Sequence, residues 1–370
     1  MPVRAGNSND ERRLERKREH LEAVLEASDG PEDPGYGDIQ LVYQALPSFD
    51  PEQVELEVEE WGRRLASPFF IDAMTGGPPE TAEINAALAR AAQAAGWGMA
   101  VGSQQAALST PEAVSTYRVV RDVSPEGFLW ANLSANVSCQ QAVEAVEMIE
   151  ADGLQLHLNL IQELLMPEGD RSFSEVRDRI RDIVRAVEVP VVVKEVGFGI
   201  SWETARRLCR LSVAGINTAG AGGTNFAQIE LGRGTEQPLA NEDFLSLGLP
   251  SVLSLLETLA AVRKEPVSVI ASGGIRTPLD AVKALVMGAH QVALAGPAWS
   301  ILARDGEAAL TRFLQRFNHD VRRLLFLIGA QTVSEARSTP YVATGRVVHW
   351  MSGRGWNWDA VLGEFKRARI

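Results

Sequence analysis

Cysteine is nearly absent. The chain has two in 370 residues, Cys139 and Cys209, and they lack the paired spacing of a zinc site. A disulfide framework is excluded, and a reducing, cytoplasmic setting is expected. Histidine is scarce too, at five residues. No apolar run is long enough to span a bilayer, and no signal peptide is expected ahead of the charged first segment. Positive charge is in deficit: 36 Lys and Arg against 48 Asp and Glu leave a formal net charge of −12. A nucleic-acid binder would show a basic footprint, so neither a nucleic-acid partner nor membrane insertion is expected. An acidic chain can still hold an anion locally with backbone amides and a few basic side chains. No Walker A sequence and no opening GxGxxG turn are present, which argues against P-loop and Rossmann folds. With 45% hydrophobic and 23% charged residues, the chain has the means to bury a full core.

From Phe69 onwards strand-like runs alternate with helix-period segments. Strands are predicted at 69–74, 98–101, 128–133, 154–159, 190–196, 214–218, 267–271 and 291–295. Helices are predicted near 80–95, after 110, at 140–150, 174–187, 202–211, 252–263 and 278–287, and beyond 297. Eight such units predict an α/β protein with a (β/α)₈ TIM barrel over residues 67–330. Residues 1–66 would supply a basic helix (11–27), a turn-rich linker and short strands at 39–46 and 54–65 capping the barrel bottom. Residues 331–370 would form a tail whose Tyr341, His349, Trp350, Trp356 and Trp358 serve packing. The stretch 222–250 is long for a strand-to-helix loop, and such loops are lids, binding loops or linkers.

The chemistry gathers at predicted strand ends. In LQLHLNLIQELLMPEGDRSF (154–173) four leucines alternate with Gln155, His157 and Asn159, so one face is apolar and the other an amide–imidazole–amide row. Such a row suits an enclosed polar cavity, although a surface edge strand would also carry it. Gln162 and Glu163 follow directly. Met74-Thr75-Gly76-Gly77 after the first strand lets a flat ring approach the backbone. Ser103 and Gln104 follow the second strand, and Asn132 ends the third. Lys194 lies inside an apolar strand, where a lysine must be paired or functional. Glycine turns follow the sixth strand (Gly222-Gly223-Thr224), the seventh (Gly273-Gly274-Ile275-Arg276) and the eighth (Ala295-Gly296-Pro297). Three in succession predict a phosphate cup of backbone amides and a helix N-terminus. The cup, Asn132, Lys194 and the platform at Thr75 together suggest FMN.

These segments resemble the type 2 isopentenyl-diphosphate isomerases. The matching stretches are ERKREHL, AMTGG, VGSQ, ANLSA, LQLHLNLIQE, MPEGDRSF, VPVVVKEVGFGIS, GAGGTNFAQIE and ASGGIRT, with weaker likeness in IGAQT and VHWMSGRGWN. Three positions depart: Asn217 where the family commonly has Asp, Ser134 for a glycine, and Gln105 where many relatives have Arg. The resemblance implies an FMN barrel that interconverts isopentenyl and dimethylallyl diphosphate by proton addition and removal. The flavin is reduced, with NADPH as its reductant, and no net redox change occurs. It implies Arg16, Lys17, His20, Ser103, Gln104 and Gln162 on the isoprenoid diphosphate, with His157, Asn159, Gln162 and Lys194 as catalytic groups and Glu163 on Mg²⁺. It implies Ala73, Met74, Thr75, Ser103, Asn132, Lys194, Thr224, Gly273, Gly274, Ile275, Arg276, Ala295 and Gly296 around FMN, in a homo-oligomer. The alternatives are an FMN oxidoreductase of the 2-hydroxy-acid oxidase type and a flavin-binding homologue that has lost activity. The first would want a His base beside Arg276, and none is near in sequence.

Arg16 and Lys17 repel each other until an anion joins them through charge-assisted hydrogen bonds. Amide exchange over residues 12–22 is therefore expected to slow when substrate and Mg²⁺ are added, and far less with FMN alone. Equal protection in both states would make this segment a fixed cap.

Overall fold

The computed structural model describes residues 29–166, 169–232 and 242–356, together with residues 17, 19, 21, 23 and 25. Short runs rich in branched and aromatic residues form the strands. β1 (Ile39–Leu41), β2 (Val58–Glu60) and β3 (Arg63–Leu65) come first. The barrel follows as β4 (Phe69–Ile71), β5 (Gly98–Ala100), β6 (Leu129–Ser134), β7 (Gly153–His157), β8 (Val191–Lys194), β9 (Gly215–Asn217), β10 (Ser268–Ala271) and β11 (Gln291–Leu294). All its pairings are parallel, and β11 bonds back to β4 to close the ring. Closure leaves no open edge, so buried backbone groups pair without help from water.

Local signals start and stop the covering helices where the ring needs them. Thr277 accepts the N–H of Asp280 while the Asp280 carboxylate takes the Thr277 N–H, and Pro278 occupies the first turn of Pro278–Met287. Ser138 and Gln141 make the same reciprocal cap on Cys139–Met148. The alanine-rich helix Thr81–Ala95 ends at Gly96 in the left-handed region.

The β2–β3 hairpin plugs the bottom. Trp61 at its turn donates Nε1 to Ala214 O at 3.3 Å and meets Trp130 edge-on, with ring centroids 4.9 Å apart. Phe70, Ala100, Phe128, Trp130, Val192, Ile270 and Ala293 fill the space above it. The barrel is thus a packed core with one usable end. The first predicted cap differs from expectation: only Ile39–Leu41 is a strand, and it pairs antiparallel with β12 (Tyr341–Ala343) from the tail. The reason is register, since Ile39 finds a two-stranded partner in Ala343 and buries itself there. The stretch after Gly222 also differs, holding the helix Phe226–Gly232, which starts where Asn225 Oδ1 accepts the N–H groups of Ala227 and Gln228. The tail is anchored by Glu257, 1% exposed, which accepts from Trp350 Nε1 at 2.8 Å, the Trp202 N–H at 2.7 Å and Arg354. Trp358 lies outside the described residues.

His290, near the bottom, accepts the Val269 N–H on Nδ1 at 3.0 Å, which requires a ring nitrogen without a proton. Burial, helped by the Arg337 guanidinium, pushes its pKa from 6.5 down to about 4. The unfolded chain takes up this proton first as pH falls, so the contribution is intact above 6.5 and is lost on the way down to about 4. Denaturant unfolding at about pH 7.5 and about pH 4.5 should show wild type losing up to about 3 kcal/mol more than His290→Gln. Equal losses would show that this ring is not what titrates.

Candidate active site

A cavity of about 590 Å³ opens at the end of the barrel to which the C-termini of the strands point. Of the residues singled out from the sequence, Lys17, Ala73, Met74, Ser103, Asn132, His157, Asn159, Gln162, Glu163 and Lys194 line it. So do Thr224, Gly273, Gly274, Ile275, Arg276, Ala295 and Gly296. Arg16 and His20 lie outside the described residues.

The wall at β6 and β7 is a chain of hydrogen bonds. Asn132 donates Nδ2 to Val101 O, leaving its Oδ1 to face His157 Nδ1 at 2.9 Å. In the neutral ring Nδ1 then carries the proton. Gln104 stands behind them. It is fully buried, accepts the Asn132 N–H at 3.0 Å and donates to Ala145 O at 2.8 Å. That places it away from the cavity lining, where direct contact with a substrate was expected; Gln105 lines the cavity instead. A buried amide at that depth spends its groups on the backbone, so its work is to hold Asn132. Gln155, next inward on β7, is fully buried and bonds to none of the described groups, so the polar row does not continue as a chain.

The helix Leu160–Leu165 carries the second polar wall. Asn159 Nδ2 donates to Glu163 Oε1 at 2.8 Å, and Glu163 Oε2 takes the Asp170 N–H at 2.7 Å. Gln162 donates Nε2 to Glu230 Oε1 at 2.9 Å. Glu230 is fully buried and was missed in the sequence. Its segment, GTNFAQIE, was noticed, yet nothing local marks this acid as facing inward from 68 residues away. Glu195, beside Lys194 in the apolar run, has no role in the sequence reading. Its Oε2 accepts the N–H groups of Val196, Gly197 and Phe198 at 2.7, 3.0 and 2.7 Å. Burial pushes its pKa up to about 7 against those donors and the nearby Lys194.

The opposite side is backbone. Gly273 and Gly274 have φ of +89° and +64°, and a Cβ on Gly273 would stand 2.1 Å from Gly220 O. Only glycine lets these loops lie this close. Ser251 fixes the turn by donating to Gly273 O at 2.6 Å. The helix Gly296–Asp305 begins at the same spot and adds the positive end of its dipole. Arg276 is held by Asp29, with Nε 3.1 Å from Oδ2. Lys17 folds over the mouth, donating to Ser103 O at 2.7 Å and also to Gly76 O and Tyr117 Oη. Trp299 Nε1 bonds Leu21 O at 3.0 Å and Arg304 donates to Leu25 O at 3.5 Å, so Lys17, Leu21 and Leu25 each touch the barrel.

FMN fits these walls. The cup offers glycine turns and a helix start for a phosphate, and the Thr75 hydroxyl, beside the lining residue Met74, is buried with no partner among the described residues. Lys194, 5% exposed, brings a cation to the inner wall. Among the described residues no group of three or more His, Cys, Asp or Glu gathers, so no all-protein metal cage is formed there. No helix among them is long and apolar enough to cross a membrane.

Barrel, cup and cation define the FMN-dependent α/β-barrel class, and the FMN-dependent dehydrogenase family model matches residues 170–343. Among solved structures, the chain resembles a mandelate oxidase variant with a monooxide FMN adduct at TM-score 0.63 and 20% identity, covering 91% of this chain and 100% of the other. A Pediococcus acidilactici protein described as a lactate oxidase aligns at TM-score 0.68 and 18% identity, covering 93% and 96%. Those likenesses speak for the fold alone. Isopentenyl-diphosphate delta-isomerase of Moorella thermoacetica is 45% identical over 92% of this chain and 96% of its own. The proteins of that name from Geobacillus sp. (strain WCH70) and Listeria innocua are 43% and 41% identical over 93% and 94% of this chain, and 97% and 96% of theirs. The chain belongs to the isopentenyl-diphosphate delta-isomerase family.

A Cβ on Gly296 would meet nothing closer than Thr224 Oγ1 at 3.7 Å, so the fold has room for a side chain there. Gly296→Leu should leave the melting temperature of the flavin-free protein unchanged while lowering FMN affinity at least about tenfold, as a filled anion site would. Undiminished affinity would move the phosphate elsewhere.

Proposed function

We propose that this protein interconverts isopentenyl and dimethylallyl diphosphate, using reduced FMN and Mg²⁺, in the cytoplasm and as a homo-oligomer, with NADPH as flavin reductant. One observation carries the reading. His157, Asn159, Gln162 and Glu163, the block that marks the family by resemblance, all reach one cavity whose opposite wall is the glycine cup. Relatives above 40% identity bear the isomerase name, which supports the same reaction here.

Reduced FMN, when bound, supplies the proton-transfer chemistry that no ordinary side chain performs at an unactivated alkene. The protein's own residues bind, orient and exclude water. Asn132 holds the His157 ring through Nδ1 at the cavity wall, where the ring would meet the substrate. Glu230 takes the Gln162 Nε2–H, so the Gln162 carbonyl turns toward Asn159 Nδ2 at 3.3 Å. The amide is thereby fixed in one orientation at the cavity wall. Lys194 supports negative charge on a reduced ring. Lys17 would exchange the Gly76, Ser103 and Tyr117 oxygens for diphosphate through charge-assisted hydrogen bonds. Glu163 is a hard-oxygen ligand at the rim, and a magnesium ion held by one carboxylate takes the rest of its shell from water and phosphate.

Isomerisation of isopentenyl diphosphate by the reduced, Mg²⁺-loaded enzyme tests the reading. Oxidation of a 2-hydroxy acid without isomerisation would favour the oxidase alternative, and FMN binding with neither activity would favour a lost one. Glu163→Gln should raise the Mg²⁺ requirement about tenfold, with excess Mg²⁺ restoring part of the rate. An unchanged Mg²⁺ dependence would remove Glu163 from the metal.

A further inference from the structure

Asn217 holds an amide at a position where the resemblance leads one to expect a carboxylate, and the geometry shows where that charge resides. Lys194 ends β8, with His157 level with it on β7 and Asn217 level with it on β9. Glu195 follows Lys194 in the chain, but its Oε2 is turned to its own backbone N–H groups. Asp72 lies just past β4 and reaches across the mouth. Its Oδ2 is 3.6 Å from Lys194 Nζ and accepts from Asn217 Nδ2 at 3.0 Å. Its Oδ1 accepts the Ala73 N–H at 2.9 Å. Asn217 Oδ1 in turn accepts the Ser272 hydroxyl at 2.5 Å. Asn217 is fully buried, and the Lys194 and Asp72 side chains are each 7% exposed. An ammonium at this depth needs a carboxylate within reach or it gives up its proton.

We propose that Asp72 is the positioning carboxylate for Lys194, so that the acid expected at the end of β9 sits at the end of β4 and the Lys194–residue 72–residue 217 cluster keeps one carboxylate. The pairing is read from geometry, and only the use made of Lys194 rests on the flavin reading. The hydrogen bonds are compatible with either placement. With Asn at 72 and Asp at 217, the new amide would accept from Ala73 and donate to the new carboxylate, which would accept from Ser272. The Ala73, Ser272 and 72–217 hydrogen bonds would all be kept, and Lys194 would turn from residue 72 to the new carboxylate level with it on β9. Neither single change has that property. Asp72→Asn turns amide N–H toward amide N–H and strips Lys194 of its counter-charge. Asn217→Asp sets two carboxylates against each other beside one ammonium, and one of them must take up a proton.

Wild type, Asp72→Asn, Asn217→Asp and the double variant decide the matter through FMN affinity from about pH 6 to about pH 9, a range in which an unpartnered buried lysine titrates. Asp72→Asn should bind FMN at least about tenfold more weakly, the deficit widening as pH rises and Lys194 deprotonates. Asn217→Asp should also bind more weakly. The double variant should regain all but about threefold of the loss and return to the pH profile of wild type, in which Glu195 also titrates, and general loosening of the fold would not do this. If Asp72→Asn fails to fold, a folded double variant with the wild-type profile supports the exchange. Wild-type affinity and the wild-type profile in Asp72→Asn would overturn the proposal. So would a double variant that fails to fold or does no better than the worse single one. Recovery in the double variant, with no turnover of alkenyl diphosphate by wild type, would sink the isomerase reading and leave the charge placement standing.

Discussion

In a closed parallel ring every strand delivers its last residues to the same rim, so side chains far apart in the chain meet there with no local signal. The other end cannot serve, because Trp61 and the aromatic layer above it fill the barrel from below. The polar content of the site follows from this. His157 closes β7, Lys194 closes β8 and Asn217 closes β9, and each is buried or half-buried because the ring surrounds it. Groups held so deeply must pair, and nearly all of them do so with fixed partners. The deep wall is therefore hydrogen-bonded in place before any ligand enters, which is the condition for electrostatic preorganisation.

Its two halves solve different problems. The cup after β9, β10 and β11 is built from backbone, where glycines let three loops crowd together. Backbone N–H groups carry no net charge and tolerate an empty site. The wall after β6, β7 and β8 is built from side chains, and Lys194 there is paired with Asp72, as Arg276 is with Asp29 at the cup's edge. An acidic protein can thus present a site for a dianionic cofactor through backbone amides and a few paired charges, which agrees with its net charge of −12.

The ring itself was legible. Period-2 runs and apolar stretches located all eight barrel strands to within a few residues, because each strand is short, buried and bounded by turn residues. The glycine turns were legible for the same reason, since their need for positive φ is written in the residue type. What escaped was long-range. Gln104 looks like a rim residue by its place after β5, yet the backbone of Asn132 and Ala145 draws it inward. Glu230 looks like one more surface acid on a helix, and only its meeting with Gln162 gives it meaning. The strand Ile39–Leu41 could not announce a partner 300 residues further on in the chain, Tyr341–Ala343.

The Asp72–Asn217 contact carries that limit to its sharpest form. Read one position at a time, Asn217 is a missing charge. Read in space, its amide joins Asp72 and Ser272, 145 and 55 residues away, and the charge is present one bond further along. What a buried lysine constrains is the number of carboxylates within reach, not the strand that supplies them. A motif records only the supplier. The physical requirement belongs to the cluster, so a departure at one member has meaning only after the others have been found.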